Sequence, residues 1–264
     1  MLSKDIAMRG VRLFVLDMDG TVYLDNDPIP GAIEFVREVE GTEGLDYIFF
    51  TNNASKVGSV YVEKLRGMGL EVPPEKILTA GDVCAEYLKL HYPGARIYLN
   101  GTPLLEEDWT RKGLQLVDDD PDVAVQSFDT TLTYRKLEKI CTFVRSGVPF
   151  IATHMDTNCP TATGFIPDCG AMCSLITEST GVRPRYFGKP WKETVDMISE
   201  ITGIPAHAMA FVGDRLYTDV ATGVKNGAKG FLVLTGEATM QTVAESDVEP
   251  TCIYESLDEM RRYL

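Results

Sequence analysis

Short apolar runs rich in Val, Ile and Phe recur along the chain, separated by longer stretches whose apolar residues return every three or four positions. The first pattern marks strands buried on both faces, and the second marks amphipathic helices. The runs predict strands over 12–16, 46–50, 96–99, 123–126, 148–152, 208–212 and 230–234. The periodic stretches predict helices over 32–40, 57–68, 83–90, 134–145, 192–201 and 219–226. Parallel neighbours need crossovers, so this βαβ rhythm predicts a doubly wound, Rossmann-like parallel-sheet α/β fold.

Three of these strands end in polar chemistry, and a fourth polar segment precedes the helix 192–201. Leu13-Phe14-Val15-Leu16 runs into Asp17-Met18-Asp19-Gly20-Thr21, two carboxylates one residue apart. Ligands of open α/β sheets bind outside the carboxyl ends of strands, and neighbouring carboxylates repel unless they share a cation. Hard oxygen donors suit Mg²⁺; turn-forming acids are the alternative. Tyr47-Ile48-Phe49-Phe50 ends in Thr51-Asn52-Asn53-Ala54-Ser55, which reads either as a phosphate cradle at a helix start or as plain capping. Tyr186-Phe187-Gly188-Lys189-Pro190 sets one lysine just before a helix, where its ammonium could neutralise a phosphoryl oxygen. Ala210-Phe211-Val212-Gly213-Asp214 ends a further strand, with Asp219 five residues on. Asp214 can complete an oxygen-ligand set, and Asp219 can orient a metal-bound water or the Lys189 ammonium.

The chain has 264 residues, with 25 Lys and Arg against 39 Asp and Glu, for a net charge of −14. That balance argues against nucleic acid or an anionic membrane as partner. The first ten residues hold Lys4 and Asp5 and no signal-like apolar core, and no run approaches the ~18 apolar residues of a membrane span. A cytoplasmic protein is expected. The six cysteines form no C-x-x-C pair and are expected to be reduced thiols.

Taken in order, these segments resemble the four signature motifs of the haloacid dehalogenase superfamily. Thr51-Asn52-Asn53, Gly188-Lys189-Pro190 and Gly213-Asp214-Arg215-Leu216 with Thr218-Asp219 are similar to the NagD-type and p-nitrophenyl phosphatase branch. The resemblance implies that Asp17 is a nucleophile forming an aspartyl-phosphate and that Asp19 protonates the leaving alkoxide and later activates water. It also implies Mg²⁺ on Asp17, Asp214 and the Asp19 carbonyl, with Thr51 and Lys189 on the phosphoryl oxygens and Asn52 and Asn53 shaping the same loop. A halide leaves without a proton, so the second acid favours an oxygen leaving group and hence a phosphatase.

The interval from Asp17 to Thr51 holds one helix and one strand. That from Thr51 to Lys189 is about four times as long, far more than one crossover needs. The surplus predicts a second α/β unit over 82–183 inserted in a core of 1–81 and 184–264, resembling the branch's large cap, which excludes water and selects the substrate's organic part. Within it, Thr153-His154-Met155-Asp156 ends a strand in polar groups, making His154 and Asp156 candidate substrate contacts. His154 departs from the Thr-Asn-x-Asp of the resembling branch, and a structural histidine is its alternative reading. Cys159, Cys169 and Cys173 read as small buried residues more readily than as a zinc cluster. The expected partner is a small-molecule phosphate ester; the sequence leaves the oligomeric state open, and the resemblance implies that the cap can supply a homodimer surface. A phosphotransferase or mutase using the same intermediate and a non-catalytic Mg²⁺-binding scaffold are the alternatives.

Overall fold

Every residue of Leu13–Leu16 and of Met209–Gly213 is buried, because both faces of these strands lie under helices and neither needs a polar side. The computed structural model describes residues 1–161 and 163–264. They gather into two units, one of 1–51, 58–78 and 189–264, the other of 52–57 and 79–188. The second unit therefore starts and ends a few residues outside 82–183 and also takes in the segment after Thr51.

The first unit carries a six-stranded sheet in the order Cys252–Tyr254, Lys229–Val233, Met209–Gly213, Leu13–Leu16, Asp46–Thr51, Ile77–Thr79. Leu16 stands in parallel register with Val212 on one side and Phe49 on the other, so the ends of the three central strands lie together. The chain builds outward from Leu13–Leu16 in one direction and later returns to its other flank. That reversal is the switch point at which doubly wound sheets bind ligands. The helix Ala32–Gly41 buries Ala32, Phe35, Val36 and Val39, one stripe of a 3.6-residue period, and Phe35 meets Phe14 edge-on at 5.3 Å between centroids.

The second unit has its own five-stranded sheet, Arg185–Tyr186, Phe150–Ala152, Val123–Gln126, Arg96–Asn100 and Gln115–Leu116, paired in parallel. Its core joins Tyr98, Phe128, Ile140, Val144, Phe150 and Ile176. The expected strand 148–152 begins only at Phe150. Pro149 has no N–H to give, although its carbonyl accepts from Ala124 at 2.9 Å. Helices Pro103–Arg111 and Cys169–Thr180 and the hairpin Asn158–Thr161 with Gly164–Pro167 join the elements expected from the sequence. The expected helix 219–226 is a wider π-helical turn over Leu216–Val220 running into Ala221–Lys225. Among the described residues no helix is long and apolar enough to cross a membrane.

Candidate functional site

The parallel register carries Asp17 and Asp214 off adjacent strand ends; the Asp17 amide still donates to Val212 O at 2.9 Å. Asp17, Asp214 and Asp219 each bring one carboxylate oxygen to within 4.8 Å of the others. Lys189, 5% exposed, donates from Nζ to Asp17 Oδ1 at 2.5 Å, to Asp219 Oδ1, and to the Phe50 carbonyl at 3.4 Å. Asp219 thus engages the ammonium, one of the two roles expected for it.

Three carboxylates against one ammonium leave this group two charges negative when all are ionised. Burial pushes the Asp17 carboxyl up to about 8, opposed by Lys189 and reinforced by Asp219 and Asp214. Burial, then Asp219, raises Asp214 to about 6. Burial works against the Lys189 ammonium, but Asp17 and Asp219 outweigh it and raise its pKa. Asp214 Oδ2 accepts from the Glu237 amide at 2.7 Å, whereas its buried Oδ1 has no hydrogen-bond partner among the described residues. A buried carboxylate oxygen left unpaired is costly. An all-oxygen donor set with an unsatisfied lone pair and a deficit of two positive charges fits a hard divalent cation.

Asp19 stands apart from this group. Its side chain is 66% exposed, 3.9 Å from Lys64 Nζ at Oδ1. The Tyr23 hydroxyl donates to its Oδ2 at 3.3 Å. Burial, then the charge of Asp19, raises the Tyr23 pKa, so the phenol keeps its proton. Thr51 closes the strand Asp46–Thr51, half-buried.

The remaining expected site residues, Asn52, Asn53, His154 and Asp156, belong to the second unit. Asn52 Nδ2 donates to Asp156 Oδ2 at 3.1 Å, and Asn53 Oδ1 accepts from the Ser55 amide and hydroxyl at 3.0 and 2.7 Å. His154 is wholly buried, with Nδ1 at 3.0 Å from Thr153 Oγ1 and Nε2 at 2.8 Å from Asp168 Oδ1. Burial alone would lower its pKa, but Cys169 and the hydrogen bond and charge of Asp168 raise it to about 9. The same Asp168 oxygen accepts the Cys169 amide at 2.6 Å and caps Cys169–Thr180. His154, Asp156 and Asp168 form a second group within 4.8 Å, and neither group includes a cysteine.

Family profiles described as haloacid dehalogenase-like hydrolase and HAD-hydrolase-like match residues 14–115 and 186–260. An acid sugar phosphatase of Staphylococcus aureus is 34% identical over 255 residues, 96% of this chain and 97% of that protein. The chain belongs to the haloacid dehalogenase superfamily. A 4-nitrophenylphosphatase from Thermotoga maritima superposes with a TM-score of 0.92 at 41% identity, covering 97% of this chain and 98% of its own. NagD from E. coli K-12 gives 0.87 at 28% identity, covering 94% and 98%. Within the superfamily the chain falls in the branch of the NagD and p-nitrophenyl phosphatases.

In sequence Gly20 was named in the first motif without a role, and Thr235 and Gly236 were missed. Gly20 holds φ at +78°, and a Cβ there would lie 2.4 Å from Asp214 Oδ2; one on Gly236 would lie 2.0 Å from the same atom. Thr235 Oγ1 donates to the Gly20 carbonyl at 2.6 Å and ties the two loops together over Asp214. Thr235-Gly236 follows the strand Lys229–Val233 as the acids follow theirs, so the strand-end rule could have found it. Asp168 stands in an N-cap position, a readable signal for a helix start but not for a histidine partner.

Proposed function

We propose that the chain is a Mg²⁺-dependent phosphatase that hydrolyses the phosphate monoester of a small metabolite, a sugar phosphate or similar compound, through an aspartyl-phosphate. The observation that carries this reading is the buried group of three acids and one ammonium at the switch point, with Asp214 Oδ1 unclaimed. Mg²⁺ would be held by Asp17, Asp214 and the Asp19 carbonyl, and when bound supplies the positive charge that lets a phosphate dianion approach a carboxylate.

The other steps belong to the chain's own groups. Lys189 fixes the Asp17 carboxylate through Oδ1 and, with the Thr51 hydroxyl, takes the phosphoryl oxygens. An Asp17 oxygen attacks phosphorus as the ester oxygen leaves with the proton of Asp19, giving the alcohol and the aspartyl-phosphate. Asp19 then takes a proton from water, which attacks phosphorus and releases phosphate and free Asp17. The Asp19 side chain lies outside the acid group and is accessible to a bound ester, which would shield it from water and let one carboxyl serve as acid and then as base.

Substrate choice is assigned to the second unit acting as a cap, with Asp156, Asn52 and Asn53 as polar contacts and His154 bracing their loop from inside. The sugar-phosphate class is supported by the similarity to the acid sugar phosphatase of Staphylococcus aureus. A cytoplasmic location and a homodimer through the second unit complete the reading. The test is hydrolysis of p-nitrophenyl phosphate with Mg²⁺, abolished by chelator and by Asp17→Asn, followed by a panel of sugar phosphates and nucleoside monophosphates. A well-folded wild-type protein inactive on every ester would overturn it, and a sugar hydroxyl outcompeting water as acceptor would make it a transferase.

A further inference from the structure

The geometry around Asp19 points to two residues outside the four motifs. We propose that Lys64 and Tyr23 are positioning residues for Asp19: together they hold its carboxylate apart from the metal-binding acids and aimed for proton transfer to the leaving oxygen. This rests on the phosphatase reading and adds to it two residues that never touch the phosphoryl group.

Each oxygen of Asp19 has its own neighbour. Oδ2 accepts from the Tyr23 hydroxyl at 3.3 Å, and Oδ1 faces the Lys64 ammonium at 3.9 Å. The two neighbours also hold each other, since Lys64 Nζ sits 3.7 Å from the centre of the Tyr23 ring. Tyr23 is fully buried in the core of the first unit, and its carbonyl accepts the Gly20 amide at 2.8 Å, so both its ring and its backbone are held in place. Lys64 rides on the helix Gly58–Gly67, which is anchored by buried Tyr61, Val62 and Leu65.

Folding stability does not explain this arrangement. An ion pair at 3.9 Å on a carboxylate that is two-thirds exposed contributes little. What the contacts supply is orientation. A loosely held aspartate would spread over several rotamers or fold inward as an extra metal ligand, and either outcome takes the proton carrier away from the ester oxygen.

The leaving group separates this role from others. p-Nitrophenolate departs without a proton, whereas an alkoxide needs one, and kcat/KM reports only the steps up to its departure. Lys64→Met and Tyr23→Phe are to be assayed with Mg²⁺ on p-nitrophenyl phosphate and glycerol phosphate, beside wild type and Asp19→Asn. Each variant is expected to lose about tenfold more kcat/KM on glycerol phosphate than on p-nitrophenyl phosphate, in the direction of Asp19→Asn, and Lys64→Arg is expected to restore most of it. Equal loss on both esters would mean that Lys64 binds the phosphoryl group or that the fold is damaged, and would overturn the inference, as would no loss on either. A wild type inactive on both esters would bring down the phosphatase reading itself; active wild type with indifferent variants would bring down this inference alone.

Discussion

Among the described residues two groups of ligand-capable side chains, one in each unit, are equally tightly gathered and are built for opposite purposes. Asp17 and Asp219 share a single ammonium, Asp214 beside them keeps one buried oxygen without a partner among the described residues, and glycines pack so close to Asp214 and Asp219 that they leave no room for a side chain. His154, Asp156 and Asp168 are internally matched: both imidazole nitrogens have partners, Asp168 also caps a helix, and Asp156 accepts from Asn52. Proximity of acids therefore does not mark a cation site. An unspent lone pair and an uncompensated charge do.

The largest break in this symmetry should come from Asp17→Asn, which is expected to lower kcat on p-nitrophenyl phosphate by ~10³-fold or more with an unchanged circular dichroism spectrum. Removal of an acid from each group should then move stability in opposite directions. Asp168→Ala strips a helix cap and strands a buried imidazole, for a loss of about 3 kcal/mol in urea denaturation. Asp214→Ala should leave the metal-free protein at least as stable at pH 8, because it removes a repelling charge.

Proton binding sharpens the contrast. Asp17 is raised from 3.8 to about 8 in the folded, metal-free chain, so between those values the native state holds a proton that the unfolded chain has released. The stability it contributes is present below pH 4 and is lost as pH rises toward 8. Mg²⁺ competes for the deprotonated form and should raise the melting temperature by ~5 °C at pH 8 and by much less at pH 5. A shift equal at both values would argue that the cation binds elsewhere. The smallest effect is expected from Gly236→Ala: its Cβ would sit 2.0 Å from Asp214 Oδ2 and should push that carboxylate aside. Mg²⁺ affinity, read by titration of activity, should fall by about tenfold.

The elements that position the acids were legible because their strands are continuous apolar runs ending abruptly in polar residues, as in Leu16-Asp17 and Gly213-Asp214. Pro103–Arg111 was not, since it buries only Leu105 and Trp109 and its signal rests on Thr102 and Pro103 at the start. The hairpin Asn158–Thr161 with Gly164–Pro167 is exposed almost throughout and shows no alternation to read. Edge strands such as Cys252–Tyr254 are three residues long, too short for a period. Within the site, Tyr23 and Lys64 were hidden for a different reason: their meaning lies in the turn that folds Asp19 back toward a helix some forty residues on. His154 was open in sequence between a substrate contact and a structural histidine, because Asp168, the partner of its Nε2, lies fourteen residues on in a helix cap.

The central strand Leu13–Leu16 borders Met209–Gly213, made roughly two hundred residues later. The strands of the second unit, by contrast, are all contiguous between Arg96 and Tyr186. During synthesis that inner sheet can therefore close while the first strand still waits, half-paired and sticky, for its other flank to leave the ribosome. Chaperone demand should be set by that wait, and a circular permutant bringing 209–213 next to 13–16 in the chain should shorten it.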